Sequence, residues 1–216
     1  MYKILVIATG NRDKVREISV VLLDELDSFS VYSNEDTERK PVGIRIMSLA
    51  DFPDAPKVIE DRDTIEANAM KKALEMAQYT GHICLADDTG LFIDALNGEP
   101  GVMAARFAGE DCCYQDNRLK TLKLMNGVTN RIANFRTVMA LAEPNGIIAI
   151  HDGIVKGSIT ETERGLNGFG YDAVFEVEDL GVTFAEMEDD QKNRISHRAK
   201  ALKAMIPLIK QLYDTV

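Results

Sequence analysis

The chain opens on YKILVIA, an unbroken apolar run of the kind a strand buried on both faces presents, then turns polar over Thr9–Arg12. From about Asp13 the period changes: Val15, Ile18, Leu22 and Leu26 recur at helical spacing, which predicts a β-loop-α opening. Residues 33 to 45 are polar and predict a loop, and GIRIMSLADF returns to strand-like composition. Thr64 is placed to cap a helix running to about Gln78, with Ile65, Ala69, Ala73 and Ala77 on one stripe. HICLA predicts the next buried strand; it ends in Asp87 and Asp88, and Gly90 suggests a tight turn just beyond.

Tyr114 to Met125 reads as a helix with Leu119, Leu122 and Met125 facing inward. FRTVMALAEPNGIIAIHDGIV is the clearest hairpin, with Asn145-Gly146 expected to supply the positive φ angles of its turn. YDAVFEV predicts one more strand. A last helix starts near Asp189 and carries Ile195, Ala199, Leu202, Ile206 and Ile209, with a kink or restart expected at Pro207. Strand-helix alternation plus a hairpin predicts an α/β fold on a mixed sheet. No linker divides residues 1–216, so a single domain is expected.

Composition narrows the function classes. The 216 residues are 45% hydrophobic, enough for one sizeable core, and the net charge is −10. That charge argues against non-specific binding to nucleic acid or a membrane surface, both of which need a basic face. No apolar run approaches the ~20 residues of a membrane span, and the N-terminal run lacks a signal-peptide cleavage site. Three cysteines without metal-site spacing suit a reducing cytoplasm.

Four stretches can carry chemistry. In ATGNRDK, Thr9, Gly10 and Asn11 precede a helix start with Lys14 in its first turn, a place where backbone N–H groups attract anions; a plain capping turn is the alternative. Adjacent Asp87 and Asp88 point to opposite faces of an extended chain, so one can brace the turn while the other faces a cleft. Glu60, Asp61 and Asp63 precede a helix bearing Asn68 and Lys72 on one face, a second carboxylate for a hard cation and an ammonium for phosphate. Last, GLNGFGYDAVF is a glycine-rich loop suited to a flat ring, and DDQKNRISHRAKAL puts Lys192, Ser196, His197 and Arg198 early in a helix.

Together TGNRDK, EANAMKKA, ADDTGLFIDALNGEPGVMAARFAG, GFGYDAVF and QKNRISHRAKAL resemble, in order and over nearly the whole chain, the Ham1-like inosine/xanthosine triphosphate pyrophosphatases. The related Maf-type enzymes are the nearest alternative, and a nucleotide sensor that binds without cleaving is a further one. Thr89 replaces a usual serine, Ala173 a usual proline, and Ala67 a frequent acid. The resemblance implies an elongated mixed sheet flanked by helices, two lobes with a central substrate cleft, and a homodimer. It implies Mg²⁺-dependent hydrolysis of ITP, dITP and XTP to monophosphate and pyrophosphate. Carried over by position, Thr9, Gly10, Asn11, Arg12, Asp13 and Lys14 form the triphosphate loop, with Lys72 a further phosphate contact. Asp88 is the general base and a metal ligand, and Glu60 the other metal ligand. Thr89 and Arg106 contact substrate. Phe169, Gly170, Tyr171 and Asp172 belong to the nucleotide pocket, with Lys192, His197 and Arg198 at its wall.

Overall fold

The computed structural model describes residues 3–26 and 43–214. The expected loop over 33–45 therefore lies largely outside the described residues. By internal contacts the chain forms two compact units: 1–88, 138–152 and 198–216 in the first, 89–137 and 153–197 in the second.

In the first unit, β1 (Lys3–Ile7) lies parallel to β2 (Ile44–Ser48) on one side and to β3 (Ile83–Ile93) on the other. Parallel neighbours need helical crossovers, supplied by α1 (Arg12–Glu25) and α2 (Ile65–Thr80). Thr64 caps α2 as the sequence predicts, its hydroxyl accepting from Ala67 N at 3.1 Å. The order continues from β3 to β5 (Ile132–Glu143) and β6 (Gly146–Ile159), so the sheet is mixed. Leu5, Ile7, Ile18, Leu22, Leu85, Met139, Leu141 and Leu202 form the core, packed by α1 and by α5 (His197–Asp214). Each side chain of this kind contributes about 1.5–3 kcal/mol by burial.

In the second unit the later part of β3 pairs antiparallel with β4 (Pro100–Gly101), and β6 pairs with β7 (Phe175–Val177). Its separate core gathers Leu91, Ile93, Phe135, Val155, Tyr171, Phe175, Phe184 and Met187, beside α3 (Tyr114–Leu124) and α4 (Asp189–Ile195). No described helix is long and apolar enough to cross a membrane.

Five local expectations are corrected. β3 does not end at the aspartates but runs 11 residues to Ile93. Gly90 is not a turn: a Cβ there would lie 2.6 Å from the Phe92 ring and 3.0 Å from Gly101 O, so glycine lets that ring and β4 close on the strand. Of the three positions expected to face inward from α3, Leu122 and Met125 join the second core but Leu119 is exposed, and Asn117 and Thr121 are buried instead, their side chains bound to the backbone carbonyls of Ala105 and Asn117. The β5–β6 hairpin forms, but neither Asn145 nor Gly146 has positive φ. Pro144 fixes φ near −65°, which rules out the double-positive turn. Finally, the last helix breaks at Ser196, whose ψ of 155° is extended, and continues through Pro207.

Candidate functional site

The strand-to-helix turn after β1 is built by side chains. Asn11 Oδ1 accepts from Asp13 N at 3.0 Å and Lys14 N at 3.3 Å, capping α1, and Thr9 Oγ1 accepts from Asn11 N. The capping turn of ATGNRDK is thus present: the asparagine caps α1, with Lys14 in its first turn. A Cβ on Gly10 would meet nothing within 4 Å, so that backbone is open to approach. Arg12 is exposed and Asp13 half-buried.

Lys14 Nζ lies 3.0 Å from Asp87 Oδ2, and Arg198 Nε lies 3.3 Å from the same oxygen. Arg198 also donates to Glu17 of α1. Asp87 is wholly buried; burial disfavours its charge, but Lys14, Arg198 and Lys72 together outweigh that and hold the carboxyl well below the usual range. The guanidinium of Arg198, itself buried, stays charged because Glu17 and Asp87 offset its desolvation. Arg198, expected at the wall of the nucleotide pocket, pairs with Asp87 and Glu17. Glu17 escaped sequence reasoning, though its position three residues after Lys14 puts both on one face of α1.

Asp88, next on β3, meets a different partner. Lys72 Nζ sits 3.3 Å from Asp88 Oδ1 and 2.5 Å from Glu60 Oε1. Burial pushes the Asp88 carboxyl up, and the neighbouring Glu60 and Asp87 charges push the same way against Lys72 and Lys14. Glu60 goes the other way: its burial is outweighed by Lys72 and Lys14. Lys72 is desolvated yet keeps a raised pKa because Asp88, Asp87 and Glu60 surround it. Two adjacent carboxylates are therefore pushed in opposite directions by their surroundings, a pattern typical of acid–base sites. The loop carrying Glu60 is tied down from α2. Asn68 Oδ1 accepts from Arg62 N at 3.0 Å, and Lys71 Nζ donates to Ile59 O and Asp61 Oδ1, both at 2.8 Å.

In the second unit, Asp172 Oδ2 accepts from Lys192 Nζ at 2.5 Å and from Phe169 N at 2.8 Å. The Lys192 ammonium lies 4.7 Å from the centre of the Phe169 ring, a cation–π distance. Gly168 has φ +69°, and a Cβ there would stand 2.1 Å from Asp172 Oδ2, so only glycine permits this closure. Arg118 donates to Gly170 O at 3.0 Å, fixing the loop from α3. Tyr171 turns inward: its hydroxyl donates to Ala104 O at 2.8 Å. Lys192 belongs to the last turn of α4 and His197 to the first of α5, so they do not share one helix. His197 is stacked on Phe135 at 4.6 Å, and Nδ1 lies 2.6 Å from Thr137 Oγ1. Thr137 Oγ1 is in turn 2.6 Å from Thr89 Oγ1. Arg106 lies near Glu110, 3.7 Å away.

Comparison with known proteins agrees along the chain. The Ham1 family profile matches residues 5–208. A dITP/XTP pyrophosphatase of Desulforamulus reducens is 44% identical over 97% of this chain and 96% of its own length. One from an Exiguobacterium species is 42% identical over 95% and 98%. Among solved structures, a HAM1 protein from Coxiella burnetii superposes with TM-score 0.80 at 33% identity, covering 98% of this chain and all of that one. The Ham1 protein of Staphylococcus aureus gives 0.79 at 32%, covering 97% and 100%.

Proposed function

The chain belongs to the Ham1 family, and on that footing we infer that it hydrolyses dITP, ITP and XTP to the nucleoside monophosphate and pyrophosphate. The observation that carries the chemistry is Asp88: a buried carboxylate whose pKa burial raises above its ordinary value, and whose Oδ2 receives no hydrogen bond from any described residue. Such an oxygen suits a proton acceptor for an attacking water. Residues 1–216 act as one catalytic domain in this reading.

Among the described residues no group of three or more His, Cys, Asp or Glu side chains gathers as a metal site. Mg²⁺ needs only one or two carboxylates, the rest being water and phosphate oxygens, so the carboxyl groups of Glu60 and Asp88, both beside Lys72, would suffice to hold it. Bound there, Mg²⁺ would neutralise phosphate charge. The rest falls to the chain itself. Asp88 takes a proton from water as the bridge between the α- and β-phosphates opens. Lys72, with three N–H donors and two carboxylate partners at hand, has a further proton for a phosphate oxygen. Lys14 and the open backbone at Gly10 serve the same end of the substrate, within the loop Thr9–Lys14. Phosphoryl transfer is mostly positioning and charge neutralisation, which this cluster can supply. Phe169, Gly170, Asp172 and Lys192 are assigned to the nucleotide pocket, with Tyr171 anchoring the loop. Thr89, Arg106, His197 and Arg198 are assigned to further substrate contacts, Arg198 also bracing Asp87. A homodimer in the cytoplasm completes the proposal.

Two measurements test this reading. The first is kcat/KM for dITP, XTP, GTP and ATP: a pocket built for a 6-keto purine should prefer dITP over ATP by about 10²–10⁴, because a mismatched base leaves buried polar groups unpaired. Equal turnover of ATP would remove the 6-keto assignment. The second concerns charge. Lys14→Ala and Lys72→Ala should weaken ITP binding far more than IMP binding, the lysines being assigned to phosphates the product has lost. Equal losses for both ligands would move the lysines off those phosphates.

A further inference from the structure

The glycine-rich loop of the second unit is gripped from α3 by two residues one turn apart. Tyr114 and Arg118 stand four positions apart on that helix, so they share a face. The Tyr114 ring lies 5.9 Å from the Phe169 ring, tilted by 42°. Arg118 reaches the next residue, its Nη1 donating to Gly170 O at 3.0 Å. The other edge of the guanidinium is taken by Glu163, with Nε donating to Oε1 at 2.9 Å and Nη2 to Oε2 at 3.4 Å. A guanidinium is planar and rigid, so a carboxylate that fixes the Nε–Nη2 edge also fixes where Nη1 points. Gly170 is a residue that needs such a hold. Its φ is +61°, and a Cβ there would meet nothing within 4 Å, so no side chain packs it in place. On the other side of Phe169 the loop is tied through Ala185 O, which accepts from Leu166 N and Asn167 N.

We propose that Arg118, directed by Glu163, is a positioning residue for the purine base: together with Tyr114 it holds the Phe169 ring ready to stack on a flat heterocycle. The reason is geometric. An aromatic ring stacks on a base only within a narrow range of offset and tilt, whereas a glycine loop left to itself takes up many orientations. Holding the ring before the nucleotide arrives removes that ordering cost from binding. Tyr114, Arg118 and Glu163 all belong to the second unit, whereas the phosphate lysines Lys14 and Lys72 belong to the first, so the role concerns base binding and not the cleavage step. The proposal rests on the nucleotide-hydrolysis reading.

The test is a KM-against-kcat split. Arg118→Met keeps most of the length of the side chain and removes every donor. For dITP its KM should rise about 10-fold, the effect of one hydrogen bond from a charged donor, with kcat changed by less than ~2-fold. The affinity for dIMP, read by calorimetry, should fall by the same factor. Glu163→Ala leaves the guanidinium undirected and should raise KM in the same sense, by about 3-fold. Because Arg118 acts through the ring, the effect of Arg118→Met should vanish in a Phe169→Ala background. A merely structural role would look different, since fewer folded molecules lower kcat at unchanged KM. An unchanged KM in Arg118→Met or in Glu163→Ala, a fall in kcat alone, or a KM effect that persists without the Phe169 ring would each overturn the proposal. A wild type that fails to hydrolyse dITP would instead defeat the function reading beneath it.

Discussion

Asp88→Asn is expected to lower kcat for dITP by about 10²–10⁴, the usual effect of losing a placed general base, while the protein stays folded and binds nucleotide. The folded state should even be undisturbed or slightly firmer. Asp88 is the carboxylate whose charge the fold disfavours, so an amide of the same shape relieves part of that cost. Lys72 keeps Glu60 as a partner at 2.5 Å. Activity and stability should therefore separate in this variant, read by turnover and by urea unfolding. Near-normal turnover would take the general-base role away from Asp88.

Asp87→Asn should behave in the opposite sense. Its carboxylate is wholly buried between Lys14 and Arg198, and the amide would leave two enclosed cations short of a counter-charge. Breaking one side of a buried ion pair costs about 3–5 kcal/mol, so a large fall in the unfolding free energy is expected. The pH dependence has a definite sign. The Asp87 pKa is depressed in the folded state, so its contribution is complete above the unfolded value near 4 and is lost as pH falls below it toward the folded one. The stability gap between wild type and Asp87→Asn should be wide at neutral pH and narrow progressively below about pH 4. A gap unchanged down to pH 3 would show that the aspartate contributes by shape alone.

These two neighbours show what was legible in the chain. Alternation along an extended backbone places them among different partners, as the structure has them, because that rule needs only the local conformation. Their partners were out of reach, since Arg198 lies 111 residues from Asp87 and only tertiary packing brings them together. The same distinction runs through the fold. β1, α1, α2 and the β5–β6 hairpin were readable from apolar period, a capping threonine and a short turn. What failed was decided by neighbours in space: Gly90 reads as a turn until Phe92 and Gly101 are seen to close on it, and Leu119 reads as core until α3 is seen to bury polar side chains against backbone carbonyls instead. Thr137 gave no signal at all, being a β-branched residue in a strand, where threonine is ordinary.

The reaction is defined by where the phosphate chain is cut. The deciding measurement is ³¹P NMR of the wild-type protein incubated with dITP and Mg²⁺. The result expected is dIMP and inorganic pyrophosphate in equal amounts, with no dIDP at any time. Release of orthophosphate with dIDP, or dITP left intact, would contradict it.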